Sequence, residues 1–99
     1  MKIKCYELNK LKTYLDKQKI KYVIKSDPET SQFRIERIHF WINGYLWSVI
    51  HGYGTYGGFD SFTLDKGLLE LFTTQIQPDP FGMLTCTEVI ELIEKYMKV

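Results

Sequence analysis

The apolar and polar positions along this chain follow two rhythms, a helical one near its ends and a period of two in its middle. Residues 7–19, ELNKLKTYLDKQK, place Leu8, Leu11 and Leu15 at i, i+3 and i+7, with Tyr14 beside them. That spacing gathers one apolar stripe on an α-helix and spreads Lys10, Lys12, Lys17 and Lys19 over its wet side. From Ile20 to Lys25 the chain turns to strand formers, with Tyr22, Val23 and Ile24 at the centre. SDPETSQ, residues 26–32, is polar, and Asp27-Pro28 marks a turn.

The stretch 33–58 is the one around which the chain is organised. Asn43-Gly44 lies between two apolar, β-branched and aromatic runs. This is a strong hairpin signal, because a type I′ turn needs φ > 0 at both central residues. With the turn there, Ile42 faces Tyr45, Phe40 faces Trp47, Ile38 faces Val49 and Glu36 faces His51. Three of these four pairs are apolar, so their face is expected on the core. The second face carries Phe33, Ile35, Arg37, His39 and Trp41 opposite Leu46, Ser48 and Ile50, and is polar at its middle. A slip of one residue would exchange the faces, so burial and turn chemistry specify the same register.

Beyond the hairpin, Gly52, Gly54, Gly57 and Gly58 fall within seven residues, which should loosen strand pairing. FDSFTLDKGLLELFTT then predicts a short helix with Leu64, Leu68, Leu71 and Phe72 on its apolar side, capped by Thr63 or Asp65. Pro78, Pro80 and Gly82 form a breaker segment. In LTCTEVIELIEKYMKV, Val89, Ile90, Ile93, Tyr96 and Met97 form a stripe, and Thr85 and Glu88 have capping-box spacing. The elements run αβββαα. They predict an α+β domain: a three-stranded antiparallel meander with helices packed on one face.

Composition narrows the class. Ninety-nine residues, 44% hydrophobic and 15% aromatic, suit a single globular domain over residues 1–99 and not a disordered tail. No apolar run reaches membrane length, and no secretory signal is visible at the N-terminus. Cys5 and Cys86 are expected to be free thiols of a cytoplasmic protein. The net charge of +1 hides an asymmetry. Residues 1–25 carry eight lysines against Glu7 and Asp16, a net of +6, while residues 26–99 carry five basic groups against ten acidic ones, a net of −5. A basic end on an acidic body can steer a partner, or can simply solvate a helix.

Catalytic chemistry is weakly represented. Gly52-Tyr53-Gly54-Thr55-Tyr56-Gly57 reads as G-x-G-x-x-G, but a dinucleotide site needs a strand feeding directly into a helix within a βαβ unit, and here a hairpin precedes it. His39 and His51 fall on opposite sheet faces, which separates them as metal ligands. Glu36 and His51 sit across from one another, as a structural hydrogen-bonded or ionic pair would. Cys86 opens the last helix, where the dipole favours a thiolate, yet no histidine is spaced to activate it. Two cysteines and two histidines without paired spacing do not make a zinc site. Trp41, Trp47, Phe40, Tyr45 and Arg37 have the residue types of a stacking platform for single-stranded nucleic acid, with few basic residues beside them.

HGYGTYGG, GLLEL and LTCTEVIELIEKY resemble a pattern in small uncharacterised proteins of Gram-positive phages and other mobile elements: a YGxYG loop, a GLLE helix and an LTxxEV opening of the terminal helix. The matching positions are Tyr53–Gly58, Gly67–Leu71 and Leu84–Ile93, roughly the C-terminal half. The resemblance implies a non-enzymatic accessory protein in the cytoplasm of a bacterial host. It would occupy a surface of a host protein, an anti-CRISPR-type inhibitor of a Cas nuclease or another defence component being the specific expectation. The expected contact surface combines Arg37, His39 and Trp41 on the second sheet face with Tyr53, Thr55 and Tyr56 in the glycine loop, aromatic and arginine residues being the usual anchors. No catalytic residue, cofactor or metal is expected. The alternative is a small nucleic-acid-associated protein that uses the lysine-rich first helix.

Overall fold

The computed structural model describes residues 3–28, 34–52, 55, 67–76 and 81–97. Helix α1 spans Tyr6–Lys17, followed by strands β1 (Tyr22–Ile24), β2 (Ile35–Ile42), β3 (Tyr45–Gly52), β4 (Leu69–Thr73) and β5 (Phe81–Leu84), and helix α2 (Cys86–Met97). The five strands form one antiparallel sheet in the order β1-β2-β3-β4-β5.

The α+β class and the antiparallel sheet stand; the three-stranded meander and the order αβββαα do not. Among the described residues the order is αβββββα. The segment expected to be a helix ends in β4, and the breaker segment leads into β5. Leu68, Leu71 and Phe72 fit helical spacing, but Leu69, Leu71 and Thr73 equally fit a period of two. Pairing decides between them: β3 aligns Trp47 with Thr73, Ser48 with Phe72, Val49 with Leu71 and Ile50 with Glu70. Leu69 and Leu71 are thereby fully buried. The GLLE part of the resemblance therefore lies at the start of a strand, and Thr63, Leu64 and Asp65 lie outside the described residues.

The hairpin has the register that its turn and burial specify. Ile42 pairs with Tyr45, Phe40 with Trp47, Ile38 with Val49 and Glu36 with His51. Asn43 and Gly44 take φ of 52° and 81°, both in the left-handed region that the tight turn requires. Gly52 serves a different purpose. A Cβ there would sit 2.6 Å from the Arg34 carbonyl oxygen and 2.8 Å from the Ile35 Cα, so β2 and β3 approach this closely only over a glycine.

Both helices cover the same sheet face. Leu8, Leu11 and Leu15 of α1, with Cys86, Val89 and Ile93 of α2, bury against Ile38, Phe40, Trp47, Val49, Leu69 and Leu71. Burying each such large apolar side chain contributes about 1.5–3 kcal/mol before the entropy of ordering is counted. The Phe40 and Trp47 rings stack with centroids 5.9 Å apart. The Trp47 indole N–H donates to Gln75 Oε1 at 3.1 Å, and Gln75 Nε2 and Asn43 Nδ2 both donate to the Tyr96 carbonyl. This ties the hairpin tip and the end of β4 to the last turn of α2.

Helix ends are fixed by local chemistry. Thr85 caps α2: its hydroxyl accepts from the Glu88 backbone N–H, and its own N–H donates to Glu88 Oε1, the reciprocal capping box the spacing predicts. The Glu7 carboxylate also accepts from the Cys86 N–H at 3.0 Å, placing negative charge at the positive end of α2. Helix α1 stops where Ile20 N–H donates to the Leu15 carbonyl and Lys19 to Asp16, with Lys19 left-handed at φ 57°. Among the described residues no helix is long and apolar enough to cross a membrane.

Candidate functional site

Alternation along β2 sends Ile38, Phe40 and Ile42 into the core and turns Arg37, His39 and Trp41 to the face away from the helices. Across the sheet, Arg37 lies opposite Ile50, His39 opposite Ser48 and Trp41 opposite Leu46. The register carries this face outward in both directions. Val23 pairs with His39 on one side, and Ser48 pairs with Phe72 on the other. Val23, His39, Ser48 and Phe72 thus form one row across four strands. Trp41 is 49% exposed, Val23 44% and Phe72 41%, so three large apolar groups stand open on one side of the sheet.

Basic charge collects along the β1 side of this face. The Lys25 N–H donates to the Arg37 carbonyl at 2.9 Å, which sets the two residues opposite one another. Alternation puts Lys21 and Lys25 on either side of Val23. Arg37 Nη2 lies 4.0 Å from Asp27 Oδ1, and the other carboxylate oxygen of Asp27 accepts the Ile35 N–H. Partial burial, together with the neighbouring charges of Lys25 and Arg37, holds the His39 pKa below the ordinary imidazole value. Both effects favour the neutral imidazole. Where α1 turns into β1, Ile20, Val23 and Trp41 wall an open groove of about 660 Å³ with Lys19 and Lys21 on its rim.

The expected residues that are described are strung along the length of β2, with Arg37 next to the Thr55 end and Trp41 farthest from it. Arg37, His39 and Trp41 lie together on the open face. Thr55 belongs to the far end of β3, where its hydroxyl donates to the Gly52 carbonyl at 2.8 Å and accepts the Gly52 N–H at 3.1 Å. Gly52 pairs with Ile35, two residues from Arg37 but six from Trp41, roughly 7 Å and 20 Å along an extended strand. Tyr53 and Tyr56 lie outside the described residues. Sequence reasoning missed Lys21, Val23, Lys25 and Phe72. The first three were legible as an alternating KYVIK run once β1 was paired with β2, whereas Phe72 was hidden by assigning its strand to a helix.

The catalytic candidates are engaged structurally. Glu36 is buried, and its carboxylate accepts the backbone N–H groups of Lys4 and Cys5, at 2.6 and 2.9 Å, and Arg34 Nη1 at 2.8 Å. It clamps the segment entering α1 to the sheet. His51 Nδ1 lies 2.7 Å from the Leu68 carbonyl, so this nitrogen carries the proton and donates it. The cross-strand position of His51 and Glu36 holds, and each also fastens a separate piece of backbone. Burial, and then the adjacent Glu7, push the Cys86 thiol up to about 11, which overrides any activation by the dipole of α2. Among the described residues no three His, Cys, Asp or Glu side chains are grouped to hold a metal ion. No family model, curated protein or solved structure matches the chain.

Proposed function

We infer that this protein is a non-enzymatic binding protein that presents the open face of its sheet to a protein partner. The observation that carries this reading is the exposure of Val23, Trp41 and Phe72 on the one sheet face that the helices leave uncovered. Aromatic anchors set among polar groups have the composition of a binding hot spot. The basic margin from Lys21, Lys25 and Arg37 favours a partner with acidic groups around an apolar centre. The middle of the face, with Leu46, Ile50, Glu70 and Phe72, lacks the continuous positive track that a nucleic-acid backbone requires. The lysines of α1 belong to the opposite layer, where Lys10 and Lys12 pair with Glu7 and Asp16 at 3.5 Å.

The resemblance to phage and mobile-element proteins extends this reading to a specific role. The protein would act in the cytoplasm of a bacterial host by occupying a surface of a host defence protein, in the manner of an anti-CRISPR inhibitor of a Cas nuclease. That extension rests on Tyr53–Gly58, Gly67–Leu71 and Leu84–Ile93 alone. A nuclease-treated pull-down from a low-GC Gram-positive lysate tests both levels, comparing the wild type with Trp41→Ala/Phe72→Ala. One protein recovered at near-equal stoichiometry, and lost with the double variant, is the expected result. Recovery of nucleic acid alone in an untreated lysate, with a steep salt dependence, would transfer the function to the basic helix.

A further inference from the structure

Among the described residues the sheet order leaves β1 and β5 as outer strands. Strand β5 is a poor template: its pairing with β4 shifts register between Leu69 and Leu71, and Met83 is left-handed at φ 56°. Strand β1 is regular, and its ladder continues beyond Ile24. Lys25 N–H donates to the Arg37 carbonyl at 2.9 Å and Asp27 N–H to the Ile35 carbonyl at 3.0 Å. Odd-numbered residues therefore turn their backbone groups to β2, and the N–H and C=O groups of Tyr22, Ile24 and Ser26 point away from it. The Ser26 hydroxyl, at the end of that row, is buried without a hydrogen-bond partner.

The charges along this edge select its occupant. Antiparallel pairing with a second copy, centred on Val23, would set each Lys21 directly against a Lys25, and like charges facing one another destabilise a strand pair. Lysines on an outer strand are a known guard against self-association. Lys19, Lys21 and Lys25 are all exposed. The carboxylates at the two ends of this edge are already engaged, Asp16 by Lys12 and Tyr22 and Asp27 by Arg37 and the Ile35 N–H, so the complement of the lysines between them is an acidic strand. At the start of β1, the open groove lined by Leu15, Ile20, Tyr22, Val23 and Trp41, with Asp16, Lys19 and Lys21 beside them, leaves room for a large apolar side chain against Trp41.

We propose that the free edge of β1 adds an extended acidic segment of a partner protein as a sixth strand, with an apolar residue of that segment seated against Trp41. This rests on the reading of the molecule as a protein-binding one and names the chemistry of the partner. Main-chain hydrogen bonds to Tyr22 and Ile24 supply the pairing, and the lysines supply the sign of charge.

The test uses an acetylated, amidated peptide alternating glutamate with valine or isoleucine, titrated to millimolar concentration against the ¹⁵N-labelled full chain. The expected result is movement of the Tyr22 and Ile24 amide resonances and slowed solvent exchange of both. Lys21→Glu/Lys25→Glu, at two exposed positions, should weaken binding by about tenfold, and backbone N-methylation of the peptide should abolish it. Equal binding by the N-methylated peptide, or no response at Tyr22 and Ile24, would overturn the proposal. Two other findings would also overturn it: self-association of the protein through these amides, or tighter binding of a single-stranded oligonucleotide at them. Should the edge stay silent while a captured partner still requires Trp41, the edge proposal falls and the open-face reading survives; loss of both removes the parent reading as well.

Discussion

Glu36→Gln isolates the clamp that holds the N-terminal segment to the sheet. The wild-type side chain is 5% exposed and that of its partner Arg34 15%, so neither charge is well hydrated. The carboxylate serves three donors: Lys4 N–H, Cys5 N–H and the Arg34 guanidinium. A glutamine offers one oxygen in place of two and turns an N–H₂ group toward the remaining donors. At least one buried donor loses its acceptor, and Arg34 loses its counter-charge. Removing one member of a buried ion pair costs about 3–5 kcal/mol, and a hydrogen bond to a charged group contributes about 1.5–3 kcal/mol. A loss of about 3 kcal/mol is therefore expected. At about 4–8 °C per kcal/mol for a domain of this size, the melting midpoint should fall by at least roughly 12 °C. Urea denaturation with a two-state fit measures the loss, and hydrogen exchange at Lys4 and Cys5 locates it. Arg34→Met should cost as much, roughly 3–5 kcal/mol, since it leaves the buried carboxylate without its counter-charge and also removes the Arg34 Nε hydrogen bond to the Asp27 carbonyl. A loss for Glu36→Gln below about 1 kcal/mol, the size of a solvent-exposed pair, would refute the clamp.

Three further outcomes follow from the same geometry. Gly52→Ala should destabilise by about 1–3 kcal/mol, because the new Cβ meets backbone atoms at 2.6 and 2.8 Å; an unchanged urea midpoint would show that β2 and β3 separate freely there. Cys86, buried and with its thiol pushed up to about 11, should react with a disulfide reagent at neutral pH only at the rate of opening. Rapid labelling of the native protein would contradict this. His39, with its folded pKa below the ordinary value, binds its proton less readily folded than unfolded. Its contribution to stability is complete above the ordinary imidazole pKa and is lost as pH falls from there through the depressed folded value. Imidazole resonances should titrate with a lowered midpoint that Lys25→Ala raises, whereas a midpoint at or above the ordinary value would remove the proposed crowding of positive charge.

The parts of this fold that could be read in the sequence are those where several signals agree. Asn43-Gly44, the apolar pairs flanking it and the burial of one face all demand the same register, and the structure has it. Thr85 and Glu88 were legible for the same reason, because a cap is made within four residues. Strand β4 was not legible. Leu68, Leu69, Leu71 and Phe72 satisfy both helical and alternating patterns, and only the ladder offered by β3, from a distant part of the chain, resolves them. The open face was half legible. Arg37, His39 and Trp41 follow from alternation along β2, but Phe72 reaches that face only through β4. The Glu36 clamp left no local trace, since the backbone it holds lies more than thirty residues away in the chain.

The central claim is that the face carrying Val23, Trp41 and Phe72 meets a protein partner, and mapping that contact tests it most directly. With the captured partner purified, amide shifts of the ¹⁵N-labelled chain should concentrate at His39, Trp41, Ser48 and Phe72, and Trp41→Ala should weaken the complex by at least about tenfold. Shifts confined to the outer sides of α1 and α2, with affinity unchanged in Trp41→Ala, would contradict the account and place the working surface on the helical layer.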